Sequence, residues 1–254
     1  MNLKGKKIIV TGGAGGIGSE LTRLLLDQGS VVAVIDNDSE KIQKLKKSIP
    51  EEKSKSIEIY NVDVSKFKEV KVTVEKFYKK HGRIDALVNN AAILLDGLLL
   101  NLSGGKIEKL PIKIWNDTIA TNLSGYFYST REVVEKMALE RTKGVIVNVS
   151  SISSIGNLGQ TSYSASKAAV NALTVTWSQE LSNFGIRVAG VSPGMTDTSM
   201  PRKSMSDSIL KKWVMQTPMK RMALPSEIAS TILFVLENDF ICGRNIEVDG
   251  GLRM

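Results

Sequence analysis

The stretch KKIIVTGGAGGIG, residues 6–18, decides the fold of this 254-residue chain. It begins with a short β-branched run at 6–11 and continues into a glycine-dense turn, after which apolar residues recur at helical spacing until Gly29. A strand, a glycine turn and a helix in this order present free backbone N–H groups and a positive helix end to an anion. The stretch therefore predicts an α/β fold that binds a pyrophosphate at its first turn.

The glycines fit the dinucleotide fingerprint in two ways. Gly13, Gly15 and Gly18 reproduce the spacing G-x-G-x-x-G. Gly12, Gly16 and Gly18 give a second spacing with the same chemistry. The residues alone leave both open, and in either case no side chain obstructs the approach of a pyrophosphate.

Asp36 indicates which dinucleotide is bound. It ends the second apolar run, 18 residues after Gly18, where a carboxylate would accept from the adenosine ribose hydroxyls and repel a 2′-phosphate. Gly15 and Asn37 are neutral, so neither offers a cation to that phosphate. We expect NAD(H) as the cofactor, with NADP(H) disfavoured.

Strand and helix patterns alternate along the rest of the chain. We therefore predict one domain, residues 1–254, built on a doubly wound parallel β-sheet with helices on both faces. The predicted strands are 6–11, 31–36, 56–63, 85–91, 144–150, 186–192 and 245–251. The predicted helices follow the glycine turn and occupy 39–49, 65–80, 111–140, 161–181 and 225–236, with Ser65 capping the helix at 65–80.

Two segments depart from this alternation. Residues 97–110 carry apolar residues on each side of the turn SGG at 103–105, which predicts a small β-hairpin flap. Residues 199–217 place Met205, Ile209 and Trp213 at helical spacing among basic residues. This second segment predicts a mobile helical lid over the substrate.

Composition excludes several classes of protein. Hydrophobic residues are 42% and charged residues 24% of the chain, and no apolar run approaches membrane-spanning length, so we expect a soluble cytoplasmic protein without membrane contact. Cys242 and His81 are the only cysteine and histidine, which excludes a disulfide framework and argues against any metal site. The net charge of +8 comes from lysines mixed with glutamates on amphipathic patterns, which is typical of a solvated surface rather than a nucleic-acid interface.

Tyr163 and Lys167 are four residues apart within the helix predicted at 161–181, so their side chains share one face. A phenol ionises near pH ~10 and needs a nearby cation if it is to exchange a proton near neutrality. Lys167 is placed to be that cation. The pair is therefore a candidate proton-transfer centre.

Short motifs follow one another in a specific order along nearly the whole chain. They are TGGAGGIG (11–18), DV (63–64), NNA (89–91), Asn122 in TNLSG, NVSS (148–151), Tyr163-x-x-x-Lys167, PG (193–194) and EVDGG (247–251). In this order they resemble the short-chain dehydrogenase/reductase family, and most closely its β-ketoacyl-acyl-carrier-protein reductase-like branch. The resemblance implies a Rossmann-like fold and the second of the two glycine spacings.

The resemblance also implies roles for individual residues. Tyr163 would be the general acid/base, and Lys167 would lower the pKa of Tyr163 and donate to the nicotinamide ribose. A serine hydroxyl of NVSS would hydrogen-bond the substrate oxygen, and Asn122 would order a water in the proton relay. The residues implied to bind the cofactor, besides Tyr163 and Lys167, are Gly12, Gly16, Ile17, Gly18, Asp36, Asp63, Val64, Asn90, Pro193, Gly194, Thr196 and Thr198.

The chain departs from the family pattern in three places. Ala92 stands where the family motif NNAG has glycine, close to the cofactor. The active serine is Ser151 by motif alignment but Ser150 by the common spacing to Tyr163; we choose Ser151, because the second serine of this strand end is the family's position. The flap at 97–110 is longer than usual, which makes it a candidate for controlling substrate access or a subunit contact.

The sequence thus predicts an oxidoreductase that moves a hydride between nicotinamide and a carbonyl or secondary alcohol. A 3-oxoacyl thioester is one candidate substrate, because the lid is basic and carrier proteins and coenzyme A are acidic; a small secondary alcohol, sugar or polyol is the alternative. A non-catalytic NAD-binding sensor or scaffold is a different class, which the intact set Asn122, Ser151, Tyr163 and Lys167 disfavours. Related proteins are often dimers or tetramers, so the resemblance also implies a homo-oligomer.

Overall fold

A computed structural model describes residues 1–204 and 206–253 of the chain. The strands in this part are β1 (Lys7–Thr11), β2 (Val31–Asp36), β3 (Ile57–Asn61), β4 (Ala86–Asn89), β5 (Leu100–Ser103), β6 (Lys106–Lys109), β7 (Val145–Val149), β8 (Arg187–Pro193) and β9 (Asn245–Val248). Seven of them form one sheet in the order β3-β2-β1-β4-β7-β8-β9, and every pairing in it is parallel. β5 and β6 form a separate antiparallel pair.

Helices cover both faces of this sheet. Their bounds are α1 (Gly16–Asp27), α2 (Ser39–Ser48), α3 (Phe67–His81), α4 (Ile112–Ile119), α5 (Gly125–Leu139), α6 (Thr161–Glu180), α7 (Ser199–Ser204), α8 (Asp207–Gln216) and α9 (Pro225–Glu237). Ile8 and Val10 of β1 pack into a core with α1, α2 and α9, whereas Ile9 between them packs into a second core with α3, α5 and α6. This arrangement confirms the predicted doubly wound sheet.

The strand order reverses at β1, which lies between β2 and β4. Thr11 at the end of β1 is opposite Ile35 on one side and Asn89 on the other. In doubly wound sheets the connections diverge at such a point and leave a crevice at the carboxyl ends of the strands. The glycine turn follows β1 directly, so the fold places it at this crevice.

A line of buried polar side chains connects the two central strands to two helices. Asn89 Nδ2 donates to Thr130 Oγ1 of α5 and to Asn148 Oδ1 of β7, both over 2.9 Å. Asn148 Nδ2 in turn donates to Thr174 Oγ1 of α6 over 3.0 Å. Because each bond is made in the dry interior, the network fixes α6, which carries the predicted proton-transfer pair, against β7.

The start of α3 differs from the sequence prediction. The helix begins at Phe67 rather than at Ser65, and Lys66 takes the N-cap position without a side-chain hydrogen bond. The N–H of Ser65 is instead bound by Asp63 Oδ1 over 2.9 Å. A local turn closed by the aspartate therefore replaces the predicted serine cap.

The predicted flap is present as the hairpin β5–β6, in which Leu102 is opposite Ile107 and every residue of both strands is exposed. The predicted lid consists of two helices, α7 and α8. Met205, the first residue of its predicted apolar face, lies outside the described residues. No helix in the described part of the chain is both long and apolar enough to cross a membrane.

Candidate active site

A cavity of about 580 Å³ lies at the carboxyl ends of the parallel strands. Gly18 and Asn122, two of the predicted site residues, are buried and do not line it. The other predicted site residues all line the cavity: Gly12, Gly16, Ile17, Asp36, Asp63, Val64, Asn90, Ser151, Tyr163, Lys167, Pro193, Gly194, Thr196 and Thr198.

The glycine turn decides between the two spacings. Gly12 has φ +63°, and a Cβ there would lie 2.8 Å from Ala91 Cα. A Cβ on Gly16 would lie 2.5 Å from Thr198 Cγ2, and one on Gly18 would overlap the carbonyl oxygen of Gly12. Side chains are therefore excluded at 12, 16 and 18, which favours this spacing over 13, 15 and 18. Gly18 serves to bring α1 close to the turn rather than to form the cavity wall.

The amino end of α1 faces the cavity without a side-chain cap. Gly15 occupies the N-cap position and has no side chain that could cap the helix. The first turn of the helix contains no acidic residue. Gly16 and Ile17 of this turn line the cavity. Uncapped N–H groups and the positive end of the helix dipole suit a phosphate at this place.

Asp36 lies in the same part of the cavity wall and is almost fully buried. Its Oδ2 accepts from the N–H of Ala14 over 3.0 Å, and its Oδ1 accepts from the N–H of Asp38 over 3.1 Å. The carboxylate thus joins the glycine turn to the end of β2. Each oxygen keeps a lone pair that can accept from a ribose hydroxyl.

The opposite wall is built from loops that follow β4 and β8. Asn90 Nδ2 donates to the carbonyl of Gly12 over 3.0 Å, which fastens the loop after β4 to the glycine turn. After β8, Thr196 Oγ1 donates to the carbonyl of Gly194 over 3.1 Å, and the N–H of Thr198 donates to the carbonyl of Thr196 over 2.9 Å. These bonds keep the loop compact and bring Thr198 against α1.

Ser151 and Tyr163 meet at the other end of the cavity. The two side chains share a hydrogen bond, and Ser151 Oγ also accepts from the N–H of Ser153 over 3.1 Å. Ser150, the alternative serine, donates instead to the carbonyl of Lys167 over 3.1 Å. Of the two hydroxyls, that of Ser151 is therefore the one that hydrogen-bonds the tyrosine.

Lys167 is buried behind Tyr163. Its Nζ donates to the carbonyl of Val149 over 2.8 Å and to Tyr126 Oη over 3.2 Å, and it lies 5.8 Å from the centre of the Tyr163 ring. Burial lowers the pKa of Lys167 to about 7, because a charged ammonium is poorly solvated there. Near neutral pH this side chain is thus close to the midpoint of its titration.

The phenol of Tyr163 is protonated at neutral pH. Burial raises the pKa of Tyr163 to about 12; the hydrogen bond with Ser151 opposes this shift, and the negative charge of Asp96 adds to it. Asp96 hydrogen-bonds Gln160, and partial desolvation raises the pKa of Asp96 although the residue as a whole is exposed. In the protein alone, Lys167 therefore does not bring the pKa of Tyr163 towards neutrality.

Asn122 lies within a π-helical turn, Ala120–Ser124, that divides the helical region predicted at 111–140. The turn is closed by the N–H of Gly125, which donates to the carbonyl of Ala120. Asn122 directs its amide at the loop after β4 and is completely buried. π-Helical turns of this kind are frequent at functional sites, where they re-aim a single side chain.

Sequence reasoning missed several residues of the site. Tyr126 supports Lys167, but it stands among other aromatic residues and nothing in the sequence marks it. Lys41 lines the cavity near Asp36, and only its place in the first turn of α2 could have indicated this. Gln160 lines the cavity close to Tyr163 and directly precedes α6.

The single histidine lies elsewhere. His81 ends α3, and its Nε2 is 2.6 Å from Glu58 Oε1. Within residues 1–204 and 206–253, no group of three or more histidine, cysteine, aspartate or glutamate side chains could hold a metal ion.

Comparison with known proteins shows which family the chain resembles. The model of the short chain dehydrogenase family matches residues 6–208. The chain is 39% identical over 255 residues to 3-oxoacyl-(acyl-carrier-protein) reductase FabG of Thermotoga maritima, with 99% of both chains covered. It is 34% identical over 253 residues to the reductase of the same name from Chlamydia trachomatis, with 98% of both covered. It is 32% identical over 255 residues to Nodulation protein G of a Rhizobium species, with 99% of this chain and 98% of the relative covered.

These similarities confirm the resemblance found in the motifs. The chain belongs to the short-chain dehydrogenase/reductase family, whose members are oxidoreductases that use a nicotinamide cofactor.

Proposed function

We propose that this chain is a NAD(H)-dependent oxidoreductase that transfers a hydride between nicotinamide and a carbonyl or secondary alcohol. The observation that carries the proposal is one continuous cavity. Ser151, Tyr163 and Lys167 line it at one end, and the glycine turn and Asp36 line it at the other. A dinucleotide in this cavity would bring its two halves to these two ends.

The residues present fit such a cofactor, because the wall lacks side chains where a pyrophosphate must approach the backbone. When bound, the nicotinamide supplies or accepts the hydride. The pyrophosphate would lie at the start of α1, and the adenosine ribose would hydrogen-bond Asp36, which would repel a 2′-phosphate. Around the remaining parts of the cofactor we expect Asp63, Val64, Asn90, Pro193, Gly194, Thr196 and Thr198, with Tyr163 and Lys167 at the nicotinamide ribose.

Tyr163 would exchange the proton of the substrate oxygen. Reduction of a carbonyl requires a protonated acid, and a phenol with a pKa of about 12 is fully protonated at neutral pH. Oxidation of an alcohol requires the phenolate, which positive charge on Lys167 would favour. The protonated phenol of Tyr163 is thus the form that carbonyl reduction uses.

Ser151 and Asn122 would act on either side of this proton transfer. The Ser151 hydroxyl, next to that of Tyr163, would donate a hydrogen bond to the substrate oxygen. Asn122 would order a water of the proton relay, as the resemblance implies. Because it also binds the backbone of Ile93, it would hold the loop after β4 against the π-helical turn.

For the substrate we propose a 3-oxoacyl thioester. Relatives that match over nearly the whole chain are named as reductases of such thioesters on a carrier protein. Lys211 and Lys212 are exposed on α8, directly before Trp213, which lines the cavity. A basic surface beside the site would attract the acidic carrier protein or coenzyme A.

The test is a substrate screen with NAD and NADH in both directions, using 3-oxoacyl thioesters, simple ketones, sugars and polyols. We expect the highest kcat/KM with NADH and a thioester. Tyr163→Phe should lower kcat by about 10²- to 10⁴-fold, because the general acid is lost. Tyr128→Phe, on a tyrosine of α5 outside the cavity, is the matched control and should retain activity.

Different results would contradict different parts of the proposal. Full activity of Tyr163→Phe would contradict the mechanism, and equal or better use of NADP(H) would contradict the cofactor preference. Turnover of neutral ketones or sugars far above that of any thioester would contradict the substrate class. Binding of NADH without turnover of any substrate would favour the sensor.

We also propose a homo-oligomer, either a dimer or a tetramer. The hairpin and the neighbouring helix α4 expose the large apolar side chains Leu102, Ile107, Ile112 and Trp115, which supports a subunit contact on this side. Size-exclusion chromatography coupled to light scattering measures the mass of the particle in solution. A monomer at micromolar concentration would contradict this proposal.

A further inference from the structure

The cavity wall near Asp36 contains an ion pair between Asp38 and Lys41. Lys41 Nζ lies 2.9 Å from Asp38 Oδ2. Asp38 Oδ1 accepts from the N–H of Lys41 over 3.1 Å and thereby caps α2. Asp36, Asn37, Asp38 and Lys41 all line the cavity. Residues 15 and 37 carry no positive charge that could bind a ribose 2′-phosphate. The fold instead places Lys41, from the first turn of α2, in the cavity wall near Asp36.

The two carboxylates in this part of the wall are held differently. Asp36 is almost fully buried, and backbone N–H groups hold both of its oxygens in place. The side chains of Asp38 and Lys41 are 34% and 37% exposed, and such surface ion pairs separate at little cost. The hydrogen bond from Lys41 is the main reason why the pKa of Asp38 is lowered, so the carboxylate of Asp38 is charged at neutral pH. Asp36 is therefore a fixed charge, whereas Lys41 is held by a bond that can open.

We propose that Lys41 is a latent binding site for the 2′-phosphate of NADP(H), and that Asp38 keeps this site closed by pairing with the ammonium. The inference rests on the proposed function, because it places the adenosine ribose at Asp36. Preference for NAD(H) then has two separable causes. Asp36 repels the phosphate permanently, and Asp38 both repels it and occupies the cation that would bind it.

The variant Asp38→Asn tests this proposal. Asparagine remains a good N-cap for α2, so the helix start is kept while the charge that holds Lys41 is lost. Dissociation constants of NADPH and NADH, measured by calorimetry without substrate, give a readout that does not depend on turnover. We expect the ratio of the NADPH constant to the NADH constant to fall about tenfold, as for one new charge-assisted contact.

Two double variants separate the gain of a cation from the loss of an anion. Asp38→Asn/Lys41→Gln should restore most of the wild-type ratio, because the released ammonium is absent. Asp38→Asn/Lys44→Gln removes the same charge one turn further along α2, at an exposed residue outside the cavity, and should keep the gain. Thermal unfolding of each variant checks that the fold is retained.

An unchanged ratio in Asp38→Asn would overturn the proposal. It would equally be overturned if the gain persisted in Asp38→Asn/Lys41→Gln, since loss of repulsion by Asp38 would then explain it alone. If neither dinucleotide bound to the wild type or to any variant, the proposed function itself would be contradicted. This result differs from binding of both dinucleotides with an unchanged ratio of the NADPH constant to the NADH constant.

Discussion

Both ends of the Asn122 side-chain amide bind the backbone of Ile93: the N–H of Ile93 donates to Oδ1 over 2.8 Å, and Nδ2 donates to the carbonyl over 2.9 Å. Ile93 lies in the cavity wall, so these two hydrogen bonds hold part of the wall in place from the buried side. Asn122→Ala leaves two backbone groups unpaired, and we expect it to lower the free energy of unfolding by about 1–3 kcal/mol. Urea denaturation measures this loss. Asn116→Ala on the exposed side of α4 is the control. An equal loss of stability in that variant would contradict the role of the two hydrogen bonds between Asn122 and Ile93.

The two adjacent serines should differ in their effect on catalysis. Ser151→Ala removes the hydroxyl beside Tyr163, and we expect kcat to fall on the order of 100-fold, as for the loss of one donor to a reacting oxygen. Ser150→Ala removes only a bond to the carbonyl of Lys167 and should cause a smaller decrease. Steady-state kinetics at saturating cofactor compare the two. A larger loss in Ser150→Ala would reverse the assignment.

Lys167→Met should stabilise the fold while abolishing activity. The pKa of Lys167 is lowered from 10.5 to about 7, so the folded protein binds fewer protons than the unfolded chain between these values. Wild-type stability therefore rises with pH across this window, and the cost of the buried charge is fully present below pH 7. We expect Lys167→Met to raise the free energy of unfolding by about 2–4 kcal/mol at pH 6 and by less at pH 9.5. The carbonyl of Val149 remains bonded to Tyr126 in this variant.

Urea denaturation at the two pH values checks this prediction. Lys143→Met, at an exposed lysine, is the control and should show no gain that depends on pH. A gain of equal size at both pH values would show that the charge of Lys167 is not its cause.

Asp96→Asn should shift the pH dependence of catalysis. The carboxylate of Asp96 raises the pKa of Tyr163, so its removal allows the phenol to ionise at lower pH. We expect the rise of alcohol oxidation with pH to move to lower pH by up to about one unit. Asparagine can keep the hydrogen bond to Gln160. Glu108→Gln on the hairpin changes the net charge equally and should leave the profile in place; the same shift in both variants would contradict a local effect of Asp96.

The parts of the site that could be predicted from sequence depend on local spacing. Tyr163 and Lys167 lie on one helix, and four residues of separation suffice to bring them to one face. The end of β2 and the glycine turn were predictable for the same reason, because apolar runs mark the strands and the crevice follows from their order. In these places the sequence pattern and the fold specify the same arrangement.

The parts that could not be predicted depend on competition between distant groups. A helical pattern does not distinguish the π-helical turn at Ala120–Ser124 from an ordinary one, because the bonds of Asn122 to the loop after β4 exist only in the fold. Tyr126 follows this turn, so its direction could not be derived from the pattern either. Ser65 has the residue type of a cap, but Asp63 binds its N–H.

The two bonds of the Asp36 carboxylate have a consequence for anyone who wishes to engineer the protein to use a different cofactor. Substitution of this residue by a small neutral one is the obvious first step. Here it would leave the N–H groups of Ala14 and Asp38 without their acceptor, at a cost of about 1–3 kcal/mol for each group that stays dry. The glycine turn would keep the bond from the N–H of Gly12 to the carbonyl of Ile35, but it would lose its side-chain attachment to the end of β2. A redesign of cofactor preference should therefore keep an acceptor at residue 36 and alter the charges around it.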